Sequence, residues 1–175
     1  MRICPEVSAD ICCFFYMYGR GAEVQPSFDY VFRTLTNRDW HISRYYAIPE
    51  PLFWFSLRLY KAAPQTSELR HLASILKTVV TERIGRDALD NPAALAIRLL
   101  ICQEFGIINE EDLVRLLQLQ DVDGSWNGGW FFAFGKSKIR VHHRGLTTGM
   151  AVEAIKGALG VEKGGLLMKD PKLGE

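Results

Sequence analysis

Leu119-Gln120-Asp121-Val122-Asp123-Gly124-Ser125-Trp126 ends an amphipathic segment, and Gly145-Leu146-Thr147-Thr148-Gly149-Met150-Ala151-Val152-Glu153-Ala154-Ile155 begins an apolar one. Asp123-Gly124 has the chemistry of a tight turn, because both residues tolerate the backbone angles that reverse a chain. Gln120 stands where its amide can cap backbone groups at the end of the outer helix. Trp126 is large enough to pack across the gap to the next segment. The stretch reads as the joint of a two-helix repeat, and the rest of the chain can be searched for further copies.

Working outward, the apolar segment 8–18 takes Ser8 as its N-cap and closes at Gly19-Arg20-Gly21. Pro26-Ser27 opens a polar-faced helix over 26–37, with Phe28, Val31, Phe32 and Leu35 at helical spacing. Pro49 starts a third helix over 49–61. Residues 67–83 carry Leu69, Leu72, Leu76, Val79 and Val80 on one side against Arg70, Lys77 and Arg83 on the other. Asn91-Pro92 caps the strongly apolar 92–105, and Asn109-Glu110-Glu111-Asp112 puts negative charge at the start of 109–120. Thr147 or Thr148 opens the last helix, 147–157. No stretch reads as a convincing strand hairpin.

The order of these segments decides the architecture. Apolar helices (8–18, 49–61, 92–105, 147–157) alternate with amphipathic ones (26–37, 67–83, 109–120). The apolar set starts roughly every 40 to 55 residues, the period of a two-helix repeat. Phe28-Asp29-Tyr30-Val31-Phe32-Arg33-Thr34-Leu35 is weakly similar to Asp112-Leu113-Val114-Arg115-Leu116-Leu117, and each is followed by a loop tryptophan, Trp40 and Trp126. The expected fold is all-α, with inner apolar helices ringed by outer amphipathic ones. Residues 1–160 are expected to form one domain, and the Gly- and Lys-rich 161–175 a flexible tail.

On these residues the chain resembles the α/α-toroid superfamily of squalene–hopene-type terpene cyclases and protein prenyltransferase β subunits. Gln120 to Trp126 is similar to the Q-x-x-D-G-x-W repeat of the triterpene cyclases, and the motif-level likeness covers residues 112–157. The resemblance implies a curved stack of helical hairpins around an apolar pocket, and an isoprenoid or similarly hydrophobic ligand. The chain holds about half of such a ring, about three and a half hairpins against about six. An open half-ring exposes apolar helix faces, so a homodimer or a partner protein is expected to cover them. The catalytic signatures of the relatives are absent from the sequence: neither the D-x-D-D tetrad nor the D-D-x-x-D magnesium cluster occurs. Asp90, Cys102 and His142 are of the types that hold zinc in the prenyltransferases, but Cys102 stands mid-helix without a matching motif. The expectation is no metal and no cofactor.

Bulk properties bound the partners. The 175 residues suffice for one domain with a real core, and the 48% apolar and 23% charged composition is ordinary for a globular protein. A formal net charge of +1 gives no reason to expect nucleic acid. Cys4, Cys12, Cys13 and Cys102 show no C-x-x-C spacing and read as buried thiols. No run of about 18 apolar residues is present to span a membrane. The amino terminus lacks the basic-then-apolar order of a secretory signal, so a cytoplasmic location is the default expectation.

Candidate chemistry collects in the loops before the inner helices, 38–48, 85–91 and 126–145. Inner helices running parallel would bring these loops to one opening, where helix dipoles and arginines suit a ligand with an anionic or carbonyl group. The candidate catalytic residues there are Tyr45, Tyr46, His142 and Arg144. Candidate substrate-binding residues are Arg44 and His143, with the aromatic side chains of Phe53, Trp54, Trp126, Trp130, Phe131 and Phe134. Aromatic faces stabilise a carbocation or fold a flexible polyene into a reactive shape. The expected function is a non-standard terpenoid cyclase that promotes ring closure in an apolar pocket without metal. A pericyclic, Diels–Alder-type closure would need proximity, a dry pocket and one donor on a carbonyl. Two alternatives stay open: a non-catalytic half-toroid binding a lipid, a terpenoid or a partner protein, and an acid-initiated cyclase using Asp121, Asp123 or Glu50 alone.

Overall fold

The computed structural model describes residues 4–43, 45–46, 48–134, 137 and 139–160. The stretch 161–175, expected as a tail, lies outside them. Among the described residues stand seven α-helices: α1 (Pro5–Met17), α2 (Gln25–Asn37), α3 (Glu50–Ala62), α4 (Ser67–Thr81), α5 (Pro92–Glu104), α6 (Glu110–Gln118) and α7 (Arg144–Ala158). Between α6 and α7 runs an antiparallel ribbon of β1 (Trp130–Phe134) and β2 (Ile139–His142).

Local chemistry sets the helix starts. Proline stands in the first turn of α1, α2, α3 and α5, where its missing N–H would have had no helical partner. The Asn91 side chain accepts from the Ala93 and Ala94 amides at 3.2 and 3.4 Å, and Asn109 accepts from Asp112 at 3.1 Å. Two expected caps do not act as such. α1 begins at Pro5, so Ser8 lies inside the first turns and its hydroxyl donates to the Cys4 carbonyl at 3.0 Å. α7 begins at Arg144, and Thr147 is buried against Gly129 instead of capping.

The helices form an arc of two layers. α1 packs on α3, α3 on α5 and α5 on α7, while α2, α4 and α6 back α1, α3 and α5 from outside. The alternation of apolar and two-faced segments thus becomes an inner and an outer layer of helical hairpins. α5, with neighbours on every side, buries Leu95, Ile97, Leu99, Ile101 and Cys102. α1 stands at one end of the arc. There Val7, Ile11, Phe14 and Tyr18 recur at i, i+4, i+7 and i+11, and all four are exposed.

The ribbon corrects the expectation that the chain holds no strand hairpin, in a stretch read as a loop. Its strands are four and five residues long, too short to show a period in the sequence, but their aromatic and β-branched residues suit a pleated surface. Trp130 pairs with His142 and Phe134 with Ile139, and the register slips at Phe131.

A buried ionic hub ties the layers together. Arg98 of α5 is fully buried and clasps Asp112 of α6 with two bonds of 2.8 and 2.9 Å. Its third nitrogen reaches Glu50, the first residue of α3, at 2.9 Å, and Arg83 meets the same Glu50 oxygen at 2.8 Å. Gly85 completes the hub by donating its amide to Asp112 at 3.1 Å. Gly85 has φ +66, a left-handed conformation that favours glycine.

Candidate functional site

The Gln120–Trp126 stretch is a clamp. Gly124 turns the chain at φ +82, and the Gln120 amide donates to its carbonyl at 2.9 Å. Trp126 is almost fully buried among Leu95, Leu99, Leu116, Ala151 and Ala154, and its indole N–H donates to the Leu116 carbonyl at 2.7 Å. One side chain thereby joins α5, α6 and α7. Asp123 accepts from the amide and hydroxyl of Ser125 at 3.1 and 2.7 Å and pairs with Arg144. Arg144 also donates to the Ser125 hydroxyl at 2.8 Å. The Ser125 bonds, then Arg144, pull the Asp123 carboxyl down to about 2. At neutral pH it is an anion, and it has no proton to give.

The three predicted loops do converge, and the ribbon bridges them. Ala133 donates its amide to the Tyr45 carbonyl at 2.7 Å, and the Tyr46 ring stands edge-on to both Phe132 and Phe55. From the third loop, Asn91 brackets Trp130, accepting its amide at 3.2 Å and donating to its carbonyl at 2.9 Å. Burial raises the Tyr46 phenol above its ordinary value, helped by the nearby acidic groups of Cys4, Glu6 and Asp10. The phenol therefore keeps its proton and can serve as a hydrogen-bond donor. The Tyr46 amide donates to the Ser43 hydroxyl at 3.2 Å, which in turn donates to Glu6 at 3.0 Å, fastening the loop to the start of α1.

The other predicted residues divide between surface and core. Tyr45, His142, His143 and Phe134 are exposed, and Phe131 is half-buried against the main core. Trp130 is buried, with the Arg140 guanidinium 4.5 Å from its ring centre. Phe53 is fully buried edge-on to Trp40, so it and Trp126 act as packing residues. Arg44 lies outside the described residues, as do the basic loop residues Lys136 and Lys138.

A broad concavity lies on the inner layer. A groove of about 1010 Å³ runs between α3 and α7 above α5, ample for a small lipophilic molecule. Trp54, Leu57 and Arg58 form the α3 wall, Leu100 and Gln103 the floor, and Leu146, Gly149 and Met150 the α7 wall. Two of its cations are already paired: Arg58 with Asp10 at 2.8 Å and Lys61 with Glu104 at 2.7 Å. Arg58 also leans over the Phe55 ring at 5.8 Å, and Phe55 touches Tyr46, so the groove and the tyrosine loop share a row of side chains. Among the described residues Trp54 is the one predicted site residue in its lining. Leu100, Leu146 and Met150 escaped notice because an apolar residue facing a groove has the same spacing as one facing the core.

Two weighed chemistries meet physical obstacles. Glu50, a candidate lone acid, is held between two guanidinium groups as part of the hub. Cys102, a candidate zinc ligand, is buried beneath Asn109, and burial lifts its thiol to about 11. Its burial sets it apart from Asp90 and His142, the other members of that set, which are both exposed.

With this geometry in view, a curated protein offers a comparison. Drimenol cyclase drtB of Aspergillus calidoustus is similar to the chain. The two are 28% identical over 160 residues, covering 90% of this chain and 30% of that protein. The chain therefore spans about 30% of the length of the curated relative it matches. No family model and no solved structure matches. No helix among the described residues is long and apolar enough to cross a membrane.

Proposed function

We propose that the chain is a terpenoid-cyclase-like α/α unit that holds an isoprenoid or polyene in the α3–α5–α7 groove and promotes its ring closure without a metal. The groove carries this reading: a lipophilic trough on the inner layer, ringed by polar side chains, suits a hydrocarbon with one polar end. The likeness to a drimenol cyclase supports a terpenoid ligand. The closure we put forward is pericyclic, driven by the folded shape of the skeleton with one donor on a ligand carbonyl. Tyr46 heads the donors, since it keeps its proton and is linked through the Phe55 ring to Arg58 of the groove wall. Tyr45 and His142 follow, and Arg144 is assigned to holding the start of α7.

One observation favours a second reading. The groove is open along one side, and ring closure wants water excluded. Joined to the short span of the chain on its relative, this suits a non-catalytic unit that binds a terpenoid, with a second copy or a partner protein covering the open side.

The two readings separate on incubation of the purified protein with linear polyene isoprenoids, following products by gas chromatography–mass spectrometry and binding by calorimetry. The enzymatic reading expects a new cyclic product, reduced turnover but retained binding in Tyr46→Phe, and lost binding in Trp54→Ala. Binding without product supports the second reading. Turnover unchanged in Tyr46→Phe, Tyr45→Phe and His142→Ala together rejects the donor assignment, and no binding at all rejects both readings.

A further inference from the structure

The α7 wall of the groove carries three glycines, Gly145, Gly149 and Gly157. Packing accounts for the last of them. A Cβ on Gly157 would collide with the Gln103 side chain, which is fixed by its 2.6 Å bond to the Ala154 carbonyl. The same logic covers Gly129 just before the ribbon, where a Cβ would strike Thr147. Among the described residues no neighbour accounts for Gly145 or Gly149: a Cβ at either would meet none of their heavy atoms within 4 Å. Backbone geometry does not require glycine there either, because neither residue has positive φ.

Gly145 lies in the first turn of α7, where a helix tolerates glycine. Gly149 lies inside Arg144–Ala158, where glycine is among the least favourable residues. A helix-weakening residue with no internal packing reason, facing an open trough, is explained by what the trough must admit. We infer that Gly149 is a specificity-determining residue of the groove, and the inference rests on the groove being the terpenoid site. Its missing side chain lets a ligand lie against the α7 backbone. The space gained is in the width of the groove and not in its length. It favours a methyl-branched or ring-bearing skeleton over an unbranched alkyl chain.

The test is calorimetric titration of wild type, Gly149→Ala, Gly149→Leu and Gly145→Leu with farnesol, with the fused-ring terpenoid sclareol and with dodecan-1-ol. Wild type is expected to bind the two terpenoids more tightly than dodecan-1-ol. Gly149→Leu should weaken both terpenoids by about tenfold or more while changing dodecan-1-ol by less than about threefold. Gly149→Ala should raise Tm by about 2–4 °C, because alanine restores helix propensity where nothing is crowded. If Gly149→Leu does not fold, as judged by circular dichroism, Gly145→Leu supplies the same reading from the adjoining open position. Terpenoid affinity unchanged in the leucine variants, with Trp54→Ala abolishing it, overturns the role of Gly149 and leaves the groove as the site. An equal loss for all three probes overturns the selection by width. Wild type binding none of the probes overturns the groove as the site, and this inference with it.

Discussion

Arg98 shows how a single side chain can hold an arc of helices together. It is fully buried, and it touches the carboxylates that start α3 and α6 from the middle of α5. A buried guanidinium is tolerable only when its charge and donors are met, and removing it strands the partners it neutralised. Arg98→Met keeps much of the volume but leaves Asp112 facing the core without its cation. The variant should lose about 3–5 kcal/mol of stability, read as a lowered urea midpoint with unchanged slope. A loss below about 1 kcal/mol, the range of exposed pairs, would show that the hub is incidental. Glu6 is the opposite case, a buried carboxyl with no ion pair among the described residues: Cys4 and Ser43 donate to one oxygen, at 2.9 and 3.0 Å. Burial raises its value above the ordinary 4.5. A group raised on folding contributes stability that is complete below the unfolded value and lost as pH climbs through the folded one. Stability should therefore decline upward from pH 4.5 through the raised folded value on account of Glu6. Glu6→Gln should remove that decline and be at least as stable as wild type at pH 7. A larger pH slope in the variant would contradict the assignment.

At the scale of elements, the joints between helices matter more than the helices. Asn91 caps α5 with its side-chain oxygen and brackets the backbone of Trp130 with both ends of the amide. Asn91→Ala removes a cap and leaves buried backbone groups of β1 without partners. The expected loss is about 2–4 kcal/mol, with Trp130 fluorescence shifted toward that of exposed indole. Retained fluorescence and a loss under about 1 kcal/mol, the value of a cap alone, would mean that β1 is held by other bonds. The helices themselves were legible from proline and asparagine starts and from apolar spacing, since these are local signals. The Gln120–Trp126 joint was legible too, because a turn dipeptide and a lone tryptophan fix its geometry within seven residues. The ribbon was not, for Trp130–Phe134 is shorter than any period that could declare it. The convergence of the three loops followed from their common place before the starts of the inner helices. The groove did not follow, because whether Leu100 or Met150 faces a neighbour or an open trough depends on how far α3 and α7 stand apart. No residue on one helix encodes that separation.

At the scale of the whole molecule, the two halves of the arc are unequally held. α1 to α4 share a large apolar core with Ile97, Ile101 and Cys102 of α5, whereas the far side of α5 buries Leu116, Trp126 and two alanines of α7 in a smaller one, with Leu113, Met150 and Ile155 half-buried against it. Repeat proteins gain stability from each interface in turn, so the end with the poorer interface opens first. α7 buries Thr147, Ala151 and Ala154, all small, and carries three glycines. It should exchange its amide hydrogens well before α4 and α5 do. α3 and α7 barely touch directly, and the groove is the space between them. A ligand there would have a wall in each half and would join the weaker end to the stronger. Ligand at about 100 times its dissociation constant adds about 2.7 kcal/mol to the closed state, which slows exchange through that opening about a hundredfold. Hydrogen exchange read by mass spectrometry, with and without farnesol, should therefore show the largest slowing in peptides spanning 144–158, with little change in α2. Equal protection of α7 and α5 without ligand would remove the premise. Slowing confined to α1 and α2 would place the ligand outside the groove, since neither helix forms a wall of it.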